Sequence, residues 1–244
     1  MVTEPEMTWK DDLIPPTVNI GDVMCTDGTT MNVDTFVKYY PEHGKFPMGV
    51  VFFVDNTGLH GLVVALRDAC ERQVWSKWNT WGNYSTHKPM VKSLTITTNA
   101  ITAMSDINGF GNTQKIKQTA EIVGPRDFSY NAPAIYACFY YNHNTLSVGT
   151  DSLGWYMPAL GELNMLWMNR KESCISLKKL STINSAITQL SSYGSYAYTA
   201  YLSSTLYDDW NMWFFGSGYY RQYHVYDNNF MGGPGFLTRA IYKF

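Results

Sequence analysis

The sequence predicts an α+β fold built around one main domain. A chain of 244 residues with 45% hydrophobic and 16% charged content is long enough for a single globular domain with a substantial core. Tyr, Thr, Gly and Asn are abundant at the expense of strong helix formers, which favours strands and loops over a helical bundle. Compact β-rich runs in the first half give way to three- and four-residue apolar spacings in the second. The expectation is two to four helices packed on small antiparallel sheets, with irregular loops between them.

Residues 1–47 are broken by Pro5, Pro15, Pro16 and Pro41 and contain the turn Thr26-Asp27-Gly28-Thr29, so they read as an N-terminal arm with one short hairpin. The main domain, 48–244, opens with the buried strands MGVVFFVD and LHGLVVAL around Asn56-Thr57-Gly58, a hairpin signal. Trp75, Trp78 and Trp81 lie in the polar segment Gln73 to Lys92, which reads as a long loop capping the core. Asp106 to Gln114 carries three turn residues and precedes a short helix near Thr113 to Ile122; no GK[ST] follows, so this is not a phosphate loop.

Three further helices have clearer signals. Ala132 to Tyr141 has Pro133 in its first turn, and Ile135, Cys138 and Phe139 share a face. Pro158 opens the next, in which Leu160, Leu163, Leu166 and Trp167 form one stripe. The last runs from about Ser176 to Ser192, with Leu177, Leu180, Ile183, Ile187 and Leu190 inward and Gly194 as C-cap. Strands follow.

Charge and cysteine usage exclude several classes. A net charge of −2 without a basic stripe removes the attraction that dominates nucleic-acid binding. No run approaches the roughly 18 apolar residues of a membrane span. Met1 to Trp9 lacks both the basic and the apolar region of a signal peptide, so the chain reads as soluble. Cys25, Cys70, Cys138 and Cys174 are too dispersed for a structural zinc, and Cys138 reads as a buried inert thiol.

The most informative stretch is Leu206 to Phe230, where Tyr, Trp, Phe, Asp, Asn and His crowd together with almost no aliphatic residue. Tyr and Trp mixed with Asn, Ser and Gly is the vocabulary of paratopes, which make large rigid contacts at low entropic cost. A strand packed entirely into a core would bury Asp208, Asp209, Asp227 and Asn228 together, each needing a partner. The expectation is that Trp210 and Trp213 are core, while the tyrosines from Tyr219 to Tyr226 present an exposed amphipathic patch.

GWYMPALGELNML at Gly154 to Leu166, a helix, Tyr201-Leu-Ser-Ser-Thr205, Trp210 and the terminal Thr238-Arg-Ala-Ile-Tyr-Lys-Phe244 occur in that order. Together they resemble the C-type-lectin-like domain family, which includes the bacterial collagen-like-protein C-terminal domain and is related to the formylglycine-generating-enzyme fold. PMGVVFFVD…HGLVVALRD resembles the family's opening hairpin, so the likeness covers about Gly21 to Phe244. Tyr201-Leu202 stands where the family has Tyr-Trp, and Gly232-Gly233-Pro234-Gly235 is looser than its penultimate strand.

Within that family the chain is most similar to the variable proteins of diversity-generating retroelements, whose last strands and loops are randomised at the adenines of asparagine codons. Tyr207, Asp208, Asp209, Asn211, Ser217, Tyr219, Tyr220, Arg221, Tyr223, His224, Tyr226, Asp227 and Asn228 are reachable by such changes. Trp210, Met212, Trp213 and Gln222 are not, and the resemblance implies that they are scaffold. It also implies that the thirteen reachable residues form the ligand-binding surface.

Catalytic and metal readings fare worse. The EPN or QPD triplet and WND partner of calcium-dependent sugar binding are absent, and Trp210-Asn211-Met212 lacks the carboxylate. The fold's catalytic relatives use a cysteine pair near the C-terminus, whereas Cys174 is the last cysteine here. Asp208 and Asp209 are adjacent, and adjacent strand residues point to opposite faces, which suits neither glycosidase geometry. Glu162 reads as a helix residue whose carboxylate anchors a nearby backbone loop. His43, His60, His87 and His143 show no HExxH or triad setting, and His224 belongs to the ligand patch.

The sequence therefore predicts a non-enzymatic protein that recognises a protein or glycan on another cell or particle through a diversified C-terminal surface, at a cell surface, outside the cell or on a phage. The alternative is a carbohydrate-binding or adhesin module of fixed specificity. No cofactor, metal, nucleic acid or membrane span is expected.

Overall fold

A computed structural model describes residues 17–71, 94, 96–122, 127–191, 200–208, 211–216, 219–224 and 236–244, with the backbone alone at 71, 122 and 219–224. The Trp75, Trp78 and Trp81 loop, Trp210 and the Gly194 cap lie outside the described residues, as do Met1 to Pro16 of the N-terminal arm.

The fold is α+β, with two five-stranded sheets, a two-stranded ribbon and seven helices among the described residues. The expected hairpin opens the first sheet. β3 (Pro47–Val54) and β4 (Gly61–Ala65) pair antiparallel, with a bulge between Val51 and Phe53. Asp55 closes the turn by accepting from the Thr57 amide and hydroxyl, and Gly58 supplies the positive φ of +73°. Most of β3 and all of β4 are buried, and α6 and α7 pack on β3.

The N-terminal hairpin, β1 (Val23–Cys25) and β2 (Thr30–Met31), extends this sheet, since β1 pairs with β3. The last strand, β12 (Ile241–Lys243), lies against the far side of β4, giving the order β12-β4-β3-β1-β2.

The second sheet has the order β10-β9-β8-β11-β5. Its members are β5 (Cys70–Glu71), β8 (Tyr201–Leu206), β9 (Asn211–Gly216), β10 (Tyr219–His224) and β11 (Leu237–Thr238). β6 (Tyr141–Asn142) and β7 (Ser147–Val148) make the ribbon.

Two chain segments run from one sheet to the other side by side. β4 leads into β5, and β11 leads into β12; Ala65 N donates to Ala240 O on the first sheet and Ala69 N to Thr238 O on the second. Arg239 stands at this crossing with no solvent exposure. Its Nε donates to Ala65 O at 2.9 Å, and its guanidinium nitrogens to Asp68 Oδ1 at 3.1 Å, Thr188 Oγ1 at 2.9 Å and Thr188 O at 2.8 Å. Carbonyls that lose their ladder partners where the strands part are thus met by one planar donor fork.

The helices differ from expectation in number and extent. α5 (Pro133–Phe139) and α6 (Leu160–Met168) are as predicted, with Ile135, Cys138, Leu160, Leu163 and Leu166 buried and Trp167 half-buried. α3 begins at Gly109 and runs to Ile122, so helix replaces most of the turn expected over Asp106 to Gln114.

The helix expected over Ser176 to Ser192 is instead α7, Arg170–Leu180. It stops because Ser181 and Thr182 return their hydroxyls to Lys178 O and Lys179 O, and Thr188 N is drawn away to Leu66 O. Ile187 and Leu190 are still buried, from the irregular segment after the helix.

Three short helices were not expected: α1 (Val33–Lys38), α2 (Ala100–Met104) and α4 (Phe128–Asn131). Each is too short for apolar periodicity, yet each has a capping side chain, from Asn32, Asn99 and Asp127 respectively.

α6 is the pillar of the domain, packing on β3 of the first sheet and on β8 and β9 of the second. Trp155, just before it, is fully buried, with Tyr141 edge-on at 5.2 Å and Tyr242 at 5.7 Å between ring centres. Tyr156 pairs with Ile241 on β12.

Candidate functional site

The candidate ligand-binding edge stands on a buried polar frame, and the frame starts from β8. Ser203, Ser204 and Thr205 lie where the register with β9 shifts between Leu202 and Leu206, so their part of the strand bulges out of the ladder. All three are fully buried, and each hydroxyl has a partner. Ser203 Oγ donates to Trp213 O at 2.6 Å, which pins the centre of β9. Thr205 Oγ1 donates to Asp106 Oδ2 at 2.8 Å and accepts from Leu160 N at 2.9 Å, so one hydroxyl ties β8 to the first turn of α6. Asn112 Nδ2 bridges Asp106 Oδ2 and Ser204 Oγ.

Glu162 completes the frame. Its carboxylate accepts from Ala159 N at 2.7 Å, from Tyr156 OH at 3.1 Å and from Gly109 N. This is one half of a capping box, since Ala159 has no side-chain acceptor to return the favour. The expected role of Glu162, a helix carboxylate anchoring a backbone loop, is what the coordinates show, and the anchored loop is the start of α3. A Cβ at residue 109 would collide with the Glu162 carboxylate, which is why glycine stands there.

Burial pushes the Glu162 carboxyl up to about 8, helped by the nearby Asp106 and opposed by its three donors. Burial and the Glu162 carboxylate together push the Tyr156 phenol well up. Burial likewise raises the thiols of Cys25, Cys138 and Cys174, Cys138 most of all, which makes poor nucleophiles of them.

The edge itself begins at Tyr207. Asp208 folds the β8–β9 connection by accepting from Asn211 N at 2.7 Å and from Asn211 Nδ2 at 2.8 and 2.9 Å. Tyr207 and Asp208 both donate their amides to Asn211 O. The Tyr207 ring meets Trp213 edge-on at 5.1 Å, and the Trp213 indole donates to Thr97 O at 2.9 Å. From Asn211 the chain runs back as β9 and returns as β10, in register from Tyr219 opposite Gly216 to His224 opposite Asn211. β10 ends the strand order of its sheet among the described residues.

Of the predicted ligand residues, Tyr207, Asp208 and Asn211 come together in the β8–β9 turn, all half-buried. The backbone of β10 brings His224 opposite Asn211 and Tyr223 opposite Met212, while Arg221, Tyr220 and Tyr219 pair farther along β9 with Phe214, Phe215 and Gly216; the β10 side chains lie outside the described residues. Asp209, Ser217, Tyr226, Asp227 and Asn228 lie outside the described residues altogether. Trp213 is core as expected, 4% exposed.

The sequence reading did not anticipate Asp106, Asn112 and Thr205 as the root of the site. Their signal was a run of three hydroxyl residues inside an otherwise apolar strand, which a buried β-strand carries only where partners await it. No group of three or more His, Cys, Asp or Glu residues placed to hold a metal occurs among the described residues. No described helix is long and apolar enough to cross a membrane.

No family model and no curated protein matches the chain. Among solved structures, a fimbrial protein from Bacteroides ovatus superposes with a TM-score of 0.46 at 16% identity. The superposition covers 92% of this chain and 48% of that one, so the chain spans about half the length of the fimbrial protein. A likeness that distant assigns neither family nor function.

Proposed function

We propose that the chain is a non-enzymatic ligand-binding module of C-type-lectin-like kind, of the adhesin type, that grips a protein or glycan partner through β9, β10 and the Tyr207–Asn211 turn. The supporting observation is a division within the second sheet. Asp106, Glu162, Ser203 and Thr205 direct their hydrogen bonds inward to fix β8, β9 and α6. At the end of that fixed frame β9 and β10 pair over six residues, Asn211–Gly216 with Tyr219–His224. Rigid support beneath an aromatic-rich strand lowers the ordering cost of binding. Binding rather than turnover is favoured because the described carboxyls and thiols with raised pKa are engaged in the frame or held neutral by burial.

The test is a glycan and protein array screened with the intact chain and with a Tyr219→Ala/Tyr220→Ala/Tyr223→Ala variant. The expected result is a partner whose binding the variant loses by at least tenfold, with thermal stability almost unchanged, because exposed substitutions usually stay within about 0.5 kcal/mol each. A variant that still binds that partner as the parent does overturns the assignment. Cooperative unfolding at a much lower temperature would instead make these rings core.

The narrower form of the proposal is a diversified edge in place of a fixed one. On that reading, a near-copy of the last hundred or so bases, differing mainly at adenines, lies near the gene beside a reverse transcriptase. A neighbourhood without that copy makes the module one of fixed specificity.

A further inference from the structure

We draw no further inference here: the strongest candidate, the open cleft between the N-terminal hairpin, α1 and α7 that Asp22, Met31, Asp34, Glu172, Ser176 and Lys179 line, has Thr17, the first described residue, in its wall, and nothing among the described residues shows what covers it.

Discussion

Replacing Arg239 by alanine tests whether the crossing between the two sheets is the structural keystone that its geometry implies. The side chain is fully buried and makes hydrogen bonds to Ala65 O, Asp68 Oδ1, Thr188 Oγ1 and Thr188 O. Its loss takes the guanidinium from the Asp68 carboxylate, which is only 12% exposed and keeps the Tyr201 hydroxyl as a partner. Breaking a buried pair from one side costs about 3–5 kcal/mol, because the partner charge stays behind in a poorly solvated place. Each carbonyl left without a donor costs a further ~1–3 kcal/mol if water does not reach it. These losses share one cluster and do not add in full. The expected total is therefore about 4–6 kcal/mol, measured by urea unfolding followed through tryptophan fluorescence. For a chain of this size that corresponds to a melting temperature lower by roughly 8 to 24 °C, at about 2–4 °C per kcal/mol. Arg239→Lys keeps the charge but not the planar fork, and is expected to recover only part of the loss. Asp68→Asn added to Arg239→Ala is expected to restore some stability by removing a buried charge that the guanidinium no longer balances. A cost below about 1 kcal/mol for Arg239→Ala, or a lysine variant indistinguishable from the parent, would refute the keystone reasoning.

Two further perturbations probe the frame under the candidate edge. Glu162 has its folded-state pKa raised from 4.5 to about 8, so the unfolded chain releases this proton at a lower pH than the folded one does. Its contribution to stability is fully present below about pH 4.5 and is lost as the pH rises to about 8; Glu162→Gln is expected to flatten that part of a melting-temperature profile, and parallel profiles would sink the assignment. Thr205→Val keeps the shape but removes the hydroxyl shared by Asp106 Oδ2 and Leu160 N, and calorimetry is expected to show a loss of ~1–3 kcal/mol for the Leu160 amide left unpaired, Asp106 Oδ2 keeping its bond from Asn112.

What the sequence revealed of this fold depends on how local each signal was. The β3–β4 hairpin was legible because its strands are long, doubly apolar and joined by Asp55-Asn56-Thr57-Gly58, whose side-chain and glycine chemistry encodes the turn by itself. α5 and α6 were legible from Pro133, Pro158 and a sustained buried stripe. α7 was misplaced because Leu177, Leu180, Ile187 and Leu190 keep a helical spacing although the backbone leaves the helix after Leu180. Periodicity reports which residues are buried, and an irregular segment pressed against Leu66 buries its leucines just as a helix would. The polar frame was least legible, since Asp106 and Thr205 stand 99 positions apart and only the fold brings them to 2.8 Å. Glu162 was the exception, because its three-residue reach to Ala159 N is a local signal at a helix start.

The proposed binding edge asks one strand pair to change its side chains without weakening the domain, and the main chain of β9 and β10 bears on that demand. β9 is held by Met212, Trp213, Phe214 and Phe215, which are buried on both of its faces, and by the Ser203 hydroxyl on the Trp213 carbonyl. The ladder from β9 to β10 is made by main-chain groups, which are the same whatever side chains follow. Asp208 and Asn211 hydrogen-bond each other across the β8–β9 connection. On the proposed reading, substitution at β10 leaves that main-chain ladder in place, whereas substitution at Thr205 or Glu162 removes bonds that α6 needs to start. Tolerance on one side of β9 and intolerance on the other is what a recognition surface requires if its specificity is to change while its stability does not.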